Sequence, residues 1–215
     1  MSAQFLAKKR VSQKGFTIIE LMIATLVFSV ILLIVTGGII QVTRTYYKGV
    51  TESNTLATAR NIVNTIGQAI QFDGGIVQPT TASPAAGTTY AFCIGNNRFQ
   101  YFLGTQLSTS GGTGKTYHAL LQDTSSACAA GVQSSSINAS GLTGTELVNP
   151  KMRLSALSVT NVSGNLYTIT VRVIYGDDSL LSNPTAANAA CKGVVAGEQF
   201  CAVSQLSTTV VKRVQ

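Results

Sequence analysis

The sequence predicts an α+β fold: a long amino-terminal helix packed on an antiparallel β-sheet head. Residues 16–40 form an apolar run with one charged side chain. Residues 41–72 continue without proline, with apolar side chains at three- and four-residue spacing. The remainder breaks into short β-branched and aromatic runs separated by Gly, Asn, Ser and Pro. Apolar residues make up 45% of the 215 and charged residues only 11%, against roughly 25% charged in an average soluble domain. Such a chain is too apolar to be disordered. The formal charge of +7 gives no strong nucleic-acid signal, because Lys8, Lys9, Arg10 and Lys14 supply four of the fifteen bases before residue 16. Arg98, Lys115, Lys151, Arg153 and Arg172 are scattered, with no stripe to follow a phosphate backbone.

Residues 1–15, MSAQFLAKKRVSQKG, read as a basic leader. Residues 16–40 read as a membrane helix, since 25 residues at about 1.5 Å each exceed a hydrocarbon core of roughly 30 Å. The preceding bases should hold the leader in the cytoplasm and place the rest of the chain outside. A secretory signal peptide is the competing reading, but the apolar run is long and no clean A-x-A site follows it. Glu20 is the one charge in this segment, and a carboxylate there is expensive enough to call for a partner. Thr25 and Ser29 can bond back to the helix backbone. Gly37-Gly38 offers either a soft point for bending or close packing against a neighbouring helix.

Residues 41–72 read as an amphipathic continuation of the stem. Leu56, Ala59, Val63, Ile66 and Ile70 mark its apolar stripe, and Ile62 and Ala69 widen it. As one helix, residues 17–72 would span roughly 84 Å. Tyr46, Tyr47 and Lys48 follow the membrane run as interfacial anchors, and Asp73-Gly74-Gly75 stops the helix. A coiled-coil dimer is the other use of the stripe, but two heptads favour packing within the chain.

Residues 73–215 form the β-rich head. Tyr90–Ile94 and Arg98–Leu103 are a hairpin turning at Gly95-Asn96-Asn97, and residues 117–122 add a short strand. Residues 124–145, rich in Ser, Ala, Gly and Thr, are a long surface excursion. Met152–Thr160 is a strand with a register break, because Leu154 and the pair Leu157/Val159 have opposite parity. After Ser163-Gly164-Asn165, the segment 167–175 alternates cleanly, turning Tyr167, Ile169, Val171, Val173 and Tyr175 to the core. Ser207–Val214 is the last strand. Cys93, Cys128, Cys191 and Cys201 allow three disulfide pairings, and an even count suits a head outside the cytoplasm. Sequential pairing, Cys93–Cys128 and Cys191–Cys201, closes the shortest loops. A zinc site would need C-x₂₋₄-C spacing, which the chain lacks.

The segment Lys14-Gly15-Phe16-Thr17-Ile18-Ile19-Glu20-Leu21-Met22-Ile23 resembles the processing site of type IV prepilins and type II secretion pseudopilins. The likeness covers the first 30 to 40 residues in motif and the whole chain in layout. It implies cleavage between Gly15 and Phe16 by a prepilin peptidase, and methylation of the new Phe16 amine by the same enzyme. It also implies that Glu20 pairs with the amino terminus of a neighbouring subunit in an assembled filament. The implied partners are other pilin subunits through the N-terminal helix, the peptidase and methyltransferase, and an inner-membrane assembly platform. The implied location is the cytoplasmic membrane as a single-pass precursor, then an extracytoplasmic or cell-surface filament. Major pilins commonly carry proline where this chain has Gly37, and larger heads recur among minor subunits. The reading is therefore a minor pilin serving adhesion, motility or DNA uptake, with a type II secretion pseudopilin as the alternative. The Cys191–Cys201 loop resembles the carboxyl-terminal disulfide loop of many pilins.

Other motifs lead elsewhere and are weaker. Ser110–Thr116, SGGTGKT, lacks the first glycine of a nucleotide-binding loop, because Thr109 occupies that position, and it sits between strand-like segments. His118 has no nucleophile in a recognised local motif. Asp177 and Asp178, with Asn183, are weak calcium candidates; some pseudopilins hold calcium near the carboxyl end of the head, but EF-hand spacing is absent here. No cofactor or catalytic residue is expected. A membrane-tethered enzyme would need a richer set of acids or histidines than the head supplies.

Overall fold

The computed structural model describes residues 15–73, 75, 77, 78, 80, 89–107, 118–124, 144–193 and 196–214. Helix α1 runs unbroken from Ile18 to Phe72, through Gly37 and Gly38. The chain divides into two units, one ending at Thr43 and the other beginning at Arg44. In the first unit α1 exposes its apolar side chains all round. Thr25 Oγ1 donates to Met22 O at 3.0 Å, and Ser29 Oγ donates to Thr25 O at 2.8 Å, so both hydroxyls are satisfied within the helix.

In the second unit, α1 packs on a head of nine strands among the described residues. Strands β1 (Thr89–Ile94), β2 (Asn97–Phe102), β3 (Leu120–Thr124) and β4 (Thr145–Glu146) form an antiparallel sheet in that order. Strands β5 (Met152–Ser163), β6 (Leu166–Tyr175) and β9 (Ala202–Val211) form a second antiparallel sheet, ordered β5-β6-β9. A short ribbon pairs β7 (Leu181–Ser182) with β8 (Ala190–Cys191). The head thus holds two sheets and a ribbon; Leu103, which bridges to Leu154 just before Gly104, links the two sheets.

The core joins the predicted helix stripe to the predicted alternation. Ala59, Ile62, Val63, Ile66 and Ile70 are buried with Ile169, Val171, Val173, Leu157, Val159, Phe92 and Phe99. Tyr167 and Tyr175 are half-buried at its margin. Leu56 departs from expectation in being only half-buried, and Thr51, Thr55 and Thr58 occupy the buried face of that turn. These threonines can be buried because their hydroxyls donate to Tyr47 O, Thr51 O and Asn54 O at 2.8, 2.7 and 3.0 Å, which removes the cost of an unpaired polar group.

The register break in β5 falls between Leu154 and Ala156, where Ser155 is the extra residue. Ser155 is buried, and its hydroxyl donates to Arg172 O at 3.3 Å. The last strand needs correcting. It begins at Ala202, five residues before the expected Ser207, and ends at Val211. Pairing with β6 continues to Tyr175↔Ala202, and the mixed polarity of Ala202–Leu206 hid this strand from an alternation test. Beyond it, the backbone N–H groups of Lys212 and Arg213 leave the sheet and donate to Asn165 O and Gln71 O.

The helix stop is a close fit of backbone to backbone. A Cβ on Gly75 would collide with the Cα of Gly95, and one on Gly95 would collide with the Asp73 carboxylate. Gly95 also has a φ of 56°, and Asn97 Nδ2 donates to Asp73 Oδ2 at 2.8 Å. The β1–β2 turn thereby fastens the end of α1, and glycine is required there by both contact and conformation.

Candidate functional site

Gly15 and Phe16 lie just before α1 and are exposed, and a side chain added at Gly15 would meet nothing within 4 Å. Thr17 and Glu20 then build the start of the helix between them. Glu20 Oε2 accepts the backbone N–H of Thr17 at 2.9 Å and its hydroxyl at 2.8 Å, while Glu20 N–H donates to Thr17 Oγ1 at 3.3 Å. This reciprocal pattern is a capping box, which satisfies donors left free at a helix start. The carboxylate also sits where the helix dipole favours negative charge. The T-x-x-E spacing of Thr17 and Glu20 is the sequence signal for this local partner, which stands beside the intermolecular one implied by the resemblance.

From Ile18 to Val42 the apolar side chains of the helix are uncovered. No part of the most apolar stretch of α1 is buried in the protein. Side chains such as Ile18, Leu33 and Ile34 are more than two-thirds exposed. By length and composition this stretch is able to cross a membrane, consistent with a membrane-anchored precursor.

In the head, the Cys191–Cys201 disulfide is formed, with Cα atoms 5.8 Å apart. Cys93 is buried in β1 and disulfide-bonded. Cys128 lies outside the described residues, as do the leader bases, Ser110–Thr116 and most of the 124–145 excursion.

Arg153, read from sequence as one of several scattered bases, is the largest fully buried side chain. Its guanidinium donates to Gly176 O at 3.0 Å and Gly104 O at 3.4 Å, reaches Pro184 O at 3.5 Å, and pairs with Asp178 Oδ1 at 2.6 Å. Asp178, a calcium candidate by sequence, is thus engaged by a fixed cation. Asp177 sits beside it at the start of a short 3₁₀ turn, Asp178–Leu180. Among the described residues no three His, Cys, Asp or Glu side chains gather as a metal site.

His118 and Glu146 meet at the rim of the first sheet, with Nδ1 3.1 Å from Oε2. Glu146 also accepts the backbone N–H groups of Ala119, Leu120 and Val148 at 3.2, 2.9 and 3.1 Å. One carboxylate therefore fixes the entry to β3 and the exit from β4. Burial raises its pKa above the usual carboxylate value, against the opposing pull of these donors. The folded state consequently binds this proton more tightly than the unfolded chain does. The resulting stability is fully present below the unfolded pKa near 4.5 and is lost as pH rises through the higher folded value. Glu146→Gln puts an amide against backbone donors and should cost about 1–3 kcal/mol. Its deficit relative to wild type should shrink as pH is raised from about 4, read by thermal melts across pH. A deficit that grows with pH would contradict the assignment.

A family model describing the prokaryotic N-terminal methylation motif matches residues 10–36. No curated protein matches the chain. No solved structure matches it either. The motif and the long apolar helix are consistent with pilin- and pseudopilin-like proteins, and the head is of the pilin-like α+β kind.

Proposed function

We propose that this chain is a minor structural subunit of a type IV pilus-like filament. It is made as a single-pass membrane precursor, cut between Gly15 and Phe16, and methylated on the Phe16 amine. The observation that most supports this reading is the methylation motif at residues 10–36 running directly into an uncovered apolar helix. In the precursor, Glu20 is held by Thr17. Cleavage creates an ammonium group one helical turn away, and in a filament the carboxylate turns to the amine of a neighbour, neutralising both charges in an apolar core. Extraction from lipid yields little hydrophobic gain, so helix packing and this ion pair must favour assembly. No catalytic role is proposed for the head.

Glu20→Ala tests the assembly step. The variant should insert into the membrane in normal amount, be processed, and fall about tenfold or more in sheared filament fractions, as loss of a desolvated ion pair predicts. Quantitative mass spectrometry of purified filaments should find the wild-type chain far below the dominant subunit. Normal incorporation of Glu20→Ala would remove the assembly role, and dominance of this chain in filaments would make it the major subunit.

A further inference from the structure

We propose that the cleft between the Arg44–Lys48 turn of α1 and the disulfide loop binds a zwitterionic phosphoethanolamine lipid headgroup. The cleft holds about 500 Å³ and is lined by Arg44, Thr45 and Lys48 of α1 and by Ala196, Gly197, Glu198 and Gln199 of the loop. Its walls are fastened together. The Cys191–Cys201 disulfide closes the loop, the Tyr47 and Phe200 rings lie 5.7 Å apart, and Thr51 Oγ1 reaches Gln199 O at 3.4 Å.

Arg44 and Lys48 are four residues apart and share one helix face, where like charges repel unless an anion lies between them. Neither side chain has an ion-pair or hydrogen-bond partner among the described residues, and neither does the Glu198 carboxylate across the cleft. Two cations on one wall suit a phosphate. A carboxylate on the other disfavours a purely anionic ligand and suits a primary ammonium attached to that phosphate. Ethanolamine supplies an ammonium with N–H donors, whereas choline has none to give Glu198. Position points to the same source. Arg44 follows Ile40 by four residues, and the headgroup layer beyond the hydrocarbon core is about 5–7 Å deep on each side. Arg and Lys side chains at that level reach into headgroups.

The inference rests on the membrane-anchored reading above, and the experiment separates the two. The full chain is reconstituted in nanodiscs of mixed phosphatidylethanolamine, phosphatidylcholine and phosphatidylglycerol, and native mass spectrometry identifies the lipids that remain bound on release. Phosphatidylethanolamine should be retained about fivefold over either competitor, the ratio expected from one good exposed ion pair. Arg44→Ala combined with Lys48→Ala should abolish that enrichment, and Glu198→Gln should bring phosphatidylethanolamine down to phosphatidylcholine. Equal retention by wild type, or enrichment that survives both variants, overturns the headgroup site while leaving membrane anchoring intact. Failure to enter nanodiscs overturns the anchored reading and the site with it. Binding of free O-phosphoethanolamine as tight as that of the lipid would assign the cleft to a soluble ligand instead.

Discussion

Gly15→Trp is expected to leave a full-length precursor in the membrane, with filament incorporation down about a hundredfold, the scale on which a displaced reacting bond slows an enzyme. The head and the helix should be untouched, because Gly15 precedes α1 and an added side chain there meets nothing within 4 Å. On the proposed cleavage after Gly15, any loss therefore reads the fit of that bond in the peptidase. Intact-mass analysis should show a wild-type chain beginning at methylated Phe16, and a variant that retains the whole leader from Met1 through Lys14 and the substituted position. The variant should still form the Cys191–Cys201 disulfide on the far side of the membrane. A processed Gly15→Trp chain at wild-type level in filaments would refute the cleavage assignment. A wild-type mature chain beginning after Gly38 would refute the whole proposal.

Arg153→Ala should be the most damaging single change in the head. It empties a fully buried site and leaves the carbonyls of Gly104 and Gly176 without their donor. Unpaired buried acceptors and the cavity together should cost about 3 kcal/mol or more, lowering the melting temperature by roughly 6–12 °C for a domain of this size. Arg153→Met restores most of the volume but none of the donors, so it should recover only part of the loss. Asp178→Asn removes the negative charge paired with a guanidinium that is only 1% exposed, so it should cost about 1–3 kcal/mol although the carboxylate itself is 73% exposed. Melts of the full chain in detergent, with and without each change, test all three. Wild-type stability of Arg153→Ala, or full rescue by Met, would show that the guanidinium does not hold this corner.

Much of the architecture was legible because periodicity is a local property. The spacing of Ala59, Val63, Ile66 and Ile70 declared the buried face of the stem, and the alternation of Ile169, Val171 and Val173 declared the core face of β6. Both meet in one core. The parity change after Leu154 located the β5 irregularity before any partner strand was known. The methylation motif was equally plain, since its residue types occur consecutively.

Only the tertiary structure decided the rest. Ile174 breaks the alternation of β6 and is buried on its opposite face, under Leu181, Ala189 and Cys201, because the disulfide segment folds back over the sheet. Arg153 and Glu146 look like surface charges in a sequence, yet each gathers backbone groups from segments far away in the chain. Thr51 and Thr55 precede the apolar stripe and are buried nonetheless, since the helix supplies carbonyls for their hydroxyls. A sequence records whether a side chain prefers water. Whether a polar one can be buried depends on carbonyls and carboxylates that other segments bring within about 3 Å, and those distances exist only once the chain has folded.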